Sequence, residues 1–198
     1  MQSSKGSKVL NLKKLKRFIF ILIVIIFSSC NGSKKSDANN AKVVKKELRP
    51  FFDSDRIDHY YLDFSEEDFV KLTSKNPTTK KEKEFSNLYM GYYPDSIPKE
   101  NFGKILLNHN YKKSNLSIRQ EKDIQNVFSV KDSLMTEGYA CVAEYRDIFI
   151  FKKKEKTVGI AKICFKCGRF QIVGNKLDTS GFGLWEELNK LEKIVRQK

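Results

Sequence analysis

The chain has 198 residues, 40% hydrophobic and 31% charged, with 38 basic and 24 acidic side chains and a net charge of +14, a length that suits one domain with appendages. Lys5, Lys8, Lys13, Lys14, Lys16 and Arg17 precede every acid, and without those six the balance is 32 against 24, or +8. Residues 31–50 hold +4 of that, so the remainder is too weakly basic to suggest a nucleic-acid groove, and no nucleic-acid partner is expected.

Residues 18–27, Phe18 to Phe27, are an unbroken apolar run, followed by Ser28, Ser29 and Cys30. Basic, apolar and small zones in that order have the layout of a secretory signal peptide, with the bases left on the cytoplasmic side. Ten apolar residues fall short of the roughly 20 that a spanning helix needs. Phe27-Ser28-Ser29-Cys30 resembles the lipobox of bacterial lipoproteins, with Phe where leucine is usual. The resemblance implies removal of residues 1–29 as a signal peptide and lipidation of Cys30 by a thioether-linked diacylglycerol, usually with an amide-linked third chain. Two or three acyl chains hold firmly where one holds marginally, each buried CH₂ contributing about 0.8 kcal/mol. Asn31 rather than Asp follows the cysteine, which in such proteins implies the outer membrane over the inner. The alternative is an ordinary secretory signal with a chance cysteine at the cut site.

Residues 31–50 are small, polar and charged and cannot bury enough apolar area to offset ordering, so 30–50 reads as a lipidated flexible basic tether and 51–198 as a single domain. Cations in such a tether favour an anionic lipid surface. Ile57–Phe64 reads as a short aromatic strand. Ser65 followed by Glu66, Glu67 and Asp68 is a helix start, with Phe69, Val70 and Leu72 on its apolar face. Residues 74–84 read as a polar loop and Lys104–Asn108 as a strand. Tyr89, Tyr92 and Tyr93 beside Pro94 form either a binding patch or a buried turn. Ser117-Ile118-Arg119-Gln120 opens a second capped helix through Phe128.

Three further strands are expected at Tyr139–Glu144, Asp147–Lys152 and Thr157–Phe165, with a fourth at Arg169–Val173 and a polar turn at Lys153–Lys156. Ser180 is placed to cap a C-terminal amphipathic helix over 182–196, with Leu184, Leu188, Leu191 and Val195 on one stripe and Trp185 beside it. The order predicts an α+β domain, a mostly antiparallel sheet with helices packed on one face.

Cys141, Cys164 and Cys167 all fall in this sheet region. A turn at Lys153–Lys156 makes paired residue numbers sum to about 309, which brings Cys141 beside Cys167. Three chemistries stay open. One is a structural disulfide, Cys141–Cys167 with Cys164 buried and free, as an oxidising compartment favours. The second is zinc, because Cys164-Phe165-Lys166-Cys167-Gly168 resembles half a zinc knuckle, with Cys141 as third ligand and His59 or His109 as fourth. The third is thiol redox chemistry, although no helix starts at the pair to lower a thiol pKa.

His59 and His109 are the two residues able to act as a general base near neutrality. Asp53, Asp55 and Asp58 have the spacing of a calcium loop but lack its glycine and distal glutamate. The chain contains no nucleophile elbow, phosphate-binding loop, zincin motif or dinucleotide fingerprint. Cys141, Arg146, the Ile148–Phe151 strand, Ile163–Cys167 and the helix over 182–196 together resemble small uncharacterised lipoproteins of Bacteroidota-type bacteria. That resemblance covers about 60 residues and implies no activity. The expectation is a non-enzymatic, membrane-anchored binding or envelope-interaction module without a cofactor. An immunity-type protein is one version of it, and a thiol- or zinc-dependent envelope protein is the alternative.

Overall fold

Large apolar side chains at consecutive positions of the central strands require cover on both faces of the sheet. The computed structural model describes residues 49–77, 79–131 and 141–197, all within a unit running from Glu47 to Lys198. The signal region, Cys30 and the tether to residue 48 lie outside the described residues, as do 132–140.

The strands are β1 (Arg56–Tyr61), β2 (Lys112–Ser114), β3 (Asp147–Lys153), β4 (Lys156–Ile163) and β5 (Phe170–Val173). The helices are α1 (Glu66–Thr73), α2 (Lys80–Tyr89), α3 (Phe102–Asn108), α4 (Ile118–Val127) and α5 (Trp185–Arg196). The sheet is antiparallel throughout, in the order β2-β1-β3-β4-β5. This is the expected α+β architecture with its C-terminal helix.

The expected one-sided packing is corrected. Phe149 and Phe151 of β3 join Ile57, Ala161 and Ile163 beneath α4 and α5, where Ile124, Val127, Leu188, Leu191 and Ile194 are buried. Ile148 and Ile150 point the other way, with Tyr60 and Ile160, towards Leu88 and Tyr89 of α2 and Phe102, Ile105 and Leu106 of α3. An alternating strand with apolar residues at every position has no solvent face.

Four local expectations also change. Lys104–Asn108 lies in α3: Asn101 caps it by accepting from the Lys104 N–H, and the buried Phe102, Ile105 and Leu106 follow helical spacing while Leu107 is exposed. The expected loop over 74–84 contains the start of α2, where Thr79 and Glu82 form a reciprocal capping box. Residues 141–144 form no strand, because β4 ends at Ile163 opposite Asp147 and leaves them nothing to pair with. Ser180 bonds to Asp178 rather than capping α5, whose N-cap is Leu184. The boxes at Ser65 and Ser117 form as expected.

The β3–β4 hairpin turns through Lys154 and Glu155, both at positive φ, the conformation that matches the strands' twist. Paired numbers sum to 309 at Lys152–Thr157, but a bulge after Phe151 raises the sum to 310 from there to Asp147–Ile163.

Candidate functional site

The ends of β1, β3 and β4, together with α5, surround a cavity of about 340 Å³. Its aromatic walls are Tyr61 and Phe165, its cations Arg146, Lys166 and Arg196, and its acids Glu144, Asp147 and Glu192. Asp147 opens the buried strand β3, and Arg196 ends α5. The Arg196 Nη1 and Nη2 donate to Asp147 Oδ1 and Oδ2 at 2.9 and 2.7 Å, a two-pronged pair. The guanidinium carbon lies 4.6 Å from the Tyr61 ring centroid and 5.7 Å from that of Phe165. Burial works against the Arg196 charge, yet Asp147 holds its pKa above the ordinary value.

Behind Arg196 runs a line of polar contacts across three strands. His59, only 1% exposed, places Nε2 2.9 Å from Asp147 Oδ1 and Nδ1 3.0 Å from Ser114 Oγ. Its ring stacks on Phe149. Serine, histidine and aspartate in contact have the composition of a hydrolytic triad, here with two further features. Both Asp147 oxygens already accept from Arg196, and the imidazole is shut from solvent. The line ties β2, β1, β3 and α5 together.

Glu144 is 5% exposed and accepts from the Tyr89 hydroxyl at 2.8 Å, Arg146 Nη2 at 2.9 Å and Lys166 Nζ at 3.1 Å. Burial raises its pKa, and the Tyr89, Lys166 and Arg146 donors together hold it below the usual carboxylate range. Burial, more than the adjacent Glu144, pushes the Tyr89 hydroxyl well up.

The cysteines meet around the turn that carries Phe165 and Lys166. Cys164 closes β4 and opens the turn into β5, with its N–H donating to Arg169 O and its carbonyl accepting from the Gly168 N–H. Gly168, at φ 71°, supplies the left-handed residue that the tight turn requires. The Cys164 and Cys167 sulfurs stand 3.0 Å apart, whereas Cys141 Sγ reaches the Cys167 carbonyl at 3.8 Å. All three are free thiols. Cys141 does lie beside Cys167, as the hairpin count placed it, and the 3.0 Å sulfur–sulfur contact is between Cys164 and Cys167. The Arg169 guanidinium donates to the Cys141 carbonyl at 3.0 Å. Burial first, then the neighbouring Cys141 and Cys164, push the Cys167 thiol pKa well above its ordinary value.

Neither histidine joins the thiols. His109 is buried at the end of α3, stacked on Phe85, with Nε2 3.5 Å from Glu84. Among the described residues no group of three His, Cys, Asp or Glu side chains is arranged to hold a metal ion. The three aspartates do not form a loop around a vacant centre. Asp53 pairs with Lys153, Asp55 accepts from the Lys154 N–H, and buried Asp58 pairs with Lys113 and Lys152. Of the tyrosines, Tyr89 is buried, Tyr93 partly so, and Tyr92 is 68% exposed.

Sequence reasoning missed Glu144, Asp147, Arg196 and Lys162. Lys162 is 0% exposed at the penultimate position of β4. Its Nζ donates to Gly91 O at 2.7 Å and Tyr93 O at 2.8 Å and lies 4.3 Å above the Tyr145 ring. Gln171, its cross-strand partner, donates to Tyr92 O and Pro94 O. Together they clamp the segment between α2 and α3. One signal was readable: Asp147 and Lys162 are charged residues adjoining the apolar runs Ile148–Phe151 and Val158–Ala161. Comparison with protein-family models, with curated proteins and with solved structures finds no match to this chain.

Proposed function

We propose that the protein is a lipid-anchored binding module of the cell envelope, held by Cys30, whose ligand site is the charged cavity between Tyr61, Phe165 and Arg196. The observation that carries the binding reading is the state of the cavity's charges. Asp147 is held by Arg196, and Glu144 by three donors. His59 is sealed beneath. A site of this kind presents fixed dipoles and aromatic faces rather than a free base or nucleophile, and preorganised polar groups with apolar walls favour recognition. The anchor rests on the order of basic, apolar and small zones ending at Cys30.

The test is a thermal-shift screen of small charged and zwitterionic solutes on wild type and Arg146→Ala. A binder expected here raises the wild-type midpoint and loses its effect in the variant. A binder indifferent to Arg146, or turnover of any hit, contradicts the reading. A thiol-dependent protein is the second reading, favoured by the 3.0 Å approach of Cys164 and Cys167. It requires activity lost on Cys→Ser substitution with the fold intact.

A further inference from the structure

We infer that Cys164 and Cys167 form a reversible dithiol–disulfide pair that sets the shape of the charged cavity through Phe165 and Lys166. The consequence for the cavity rests on the binding reading above; the disulfide does not. The two sulfurs stand 3.0 Å apart across a turn whose ends are already tied by the Cys164 N–H to Arg169 O and the Gly168 N–H to Cys164 O. A disulfide needs sulfurs about 2.05 Å apart, so closure asks for a small local movement. The only residues between the two cysteines are Phe165 and Lys166, and both line the cavity. Phe165 flanks Arg196, and Lys166 donates to Glu144. Closing the four-residue loop therefore acts on an aromatic wall and on one of the three donors holding Glu144.

The oxidant is a small-molecule disulfide, RSSR. At alkaline pH, as its raised pKa requires, Cys167, the more open of the two, loses its proton and attacks one sulfur of RSSR, forming a mixed disulfide and expelling one thiolate, which takes up a proton. The Cys164 sulfur, deprotonated in turn, attacks the Cys167 sulfur and expels the second thiolate. Two protein thiols become one disulfide, and RSSR becomes two RSH. Excess reducing thiol reverses both exchanges. Cys141 also neighbours Cys167, with Sγ 3.8 Å from its carbonyl oxygen, and is left reduced because Cys164 stands at the shorter contact, 3.0 Å.

The test uses the full-length protein, purified from membranes in detergent, reduced, and then equilibrated with oxidised glutathione. Free thiols are alkylated, the chain is digested, and the linked peptides are mapped. The inference expects a Cys164–Cys167 link with Cys141 alkylated, retained in Cys141→Ser and abolished in Cys164→Ser. A Cys141–Cys167 link, or none in folded protein, overturns it. The coupling is read from the side-chain Nε–H resonances of Arg146 and Arg196. These shift between the reduced and oxidised wild type and stay fixed in Cys164→Ser under the same treatment. Unchanged arginine resonances beside a mapped disulfide overturn the coupling. A ligand screen that finds nothing would count against the binding reading and leave the mapped disulfide standing.

Discussion

At the residue scale, Lys162 is the most demanding group in the fold. Burial pushes its ammonium pKa down to about 7, while two carbonyls and a ring face accept its hydrogens. Between about 7 and 10.5 the unfolded chain binds a proton that the folded chain has released, so this group makes stability rise with pH across that window and leaves it flat below. Lys162→Met removes that slope and leaves two buried carbonyls unpaired, at a cost of about 1–3 kcal/mol near pH 7. Urea unfolding of both proteins at pH 7 and at about pH 9 measures both effects. Glu144 works in the same sense at lower pH. Its depressed pKa contributes stability present above the ordinary glutamate range and lost as acid titrates it in the fold. Asp147→Asn removes the ionic partner of Arg196 and alters the hydrogen-bond partner of His59. Because Arg196 is partly solvated, the expected loss is about 2–3 kcal/mol rather than the larger cost of a fully buried pair. None of this was visible in the sequence as a cluster, since His59 and Asp147 are 88 residues apart and Arg196 a further 49.

At the element scale, what was legible followed from local chemistry. Ser65 and Ser117, each three residues before an acid or amide, became reciprocal caps because that pattern needs nothing from the rest of the chain. The hairpin and its flanking strands were readable from β-branched and aromatic runs bounded by a polar turn. Lys80–Tyr89 was not, because its first turn is Lys80, Lys81, Glu82 and Lys83 and its buried residues, Leu88 and Tyr89, come only at the end. Thr79→Ala deletes the cap of that helix and is expected to cost about 1 kcal/mol. Accelerated amide exchange confined to its first turn is the signature to seek. Lys104–Asn108 was misread because a short apolar run fits either period until the exposure of Leu107 decides it. Gly159 shows a constraint that only packing reveals: a methyl group there meets the Phe52 ring. Gly159→Ala is therefore expected to destabilise by about 1–3 kcal/mol through overpacking, measurable as a lowered urea midpoint with unchanged slope.

At the scale of the whole molecule, the α+β class was legible because the order of strands and helices survived the local errors. The two-sided cover was not, because the helices that supply it on the second face, α2 and α3, were the two read as loop and strand. The charged cavity was hidden for a related reason: its walls come from β1, the segment before β3, the β4–β5 turn and α5, which only tertiary packing brings together. The cysteine cluster could be anticipated from hairpin arithmetic, whereas the contact of Cys164 with Cys167 follows from the tight turn between them, which that arithmetic does not describe.

The central claim, a binding domain held to a membrane by lipid on Cys30, is tested most directly by the mass of the N-terminal peptide of the mature protein, recovered from the membrane fraction. The account predicts a peptide beginning at Cys30 and carrying diacylglycerol, with Cys30→Ser protein lost from that fraction. A mature N-terminus elsewhere, or an unmodified Cys30 in protein that still sediments with membranes, would contradict it.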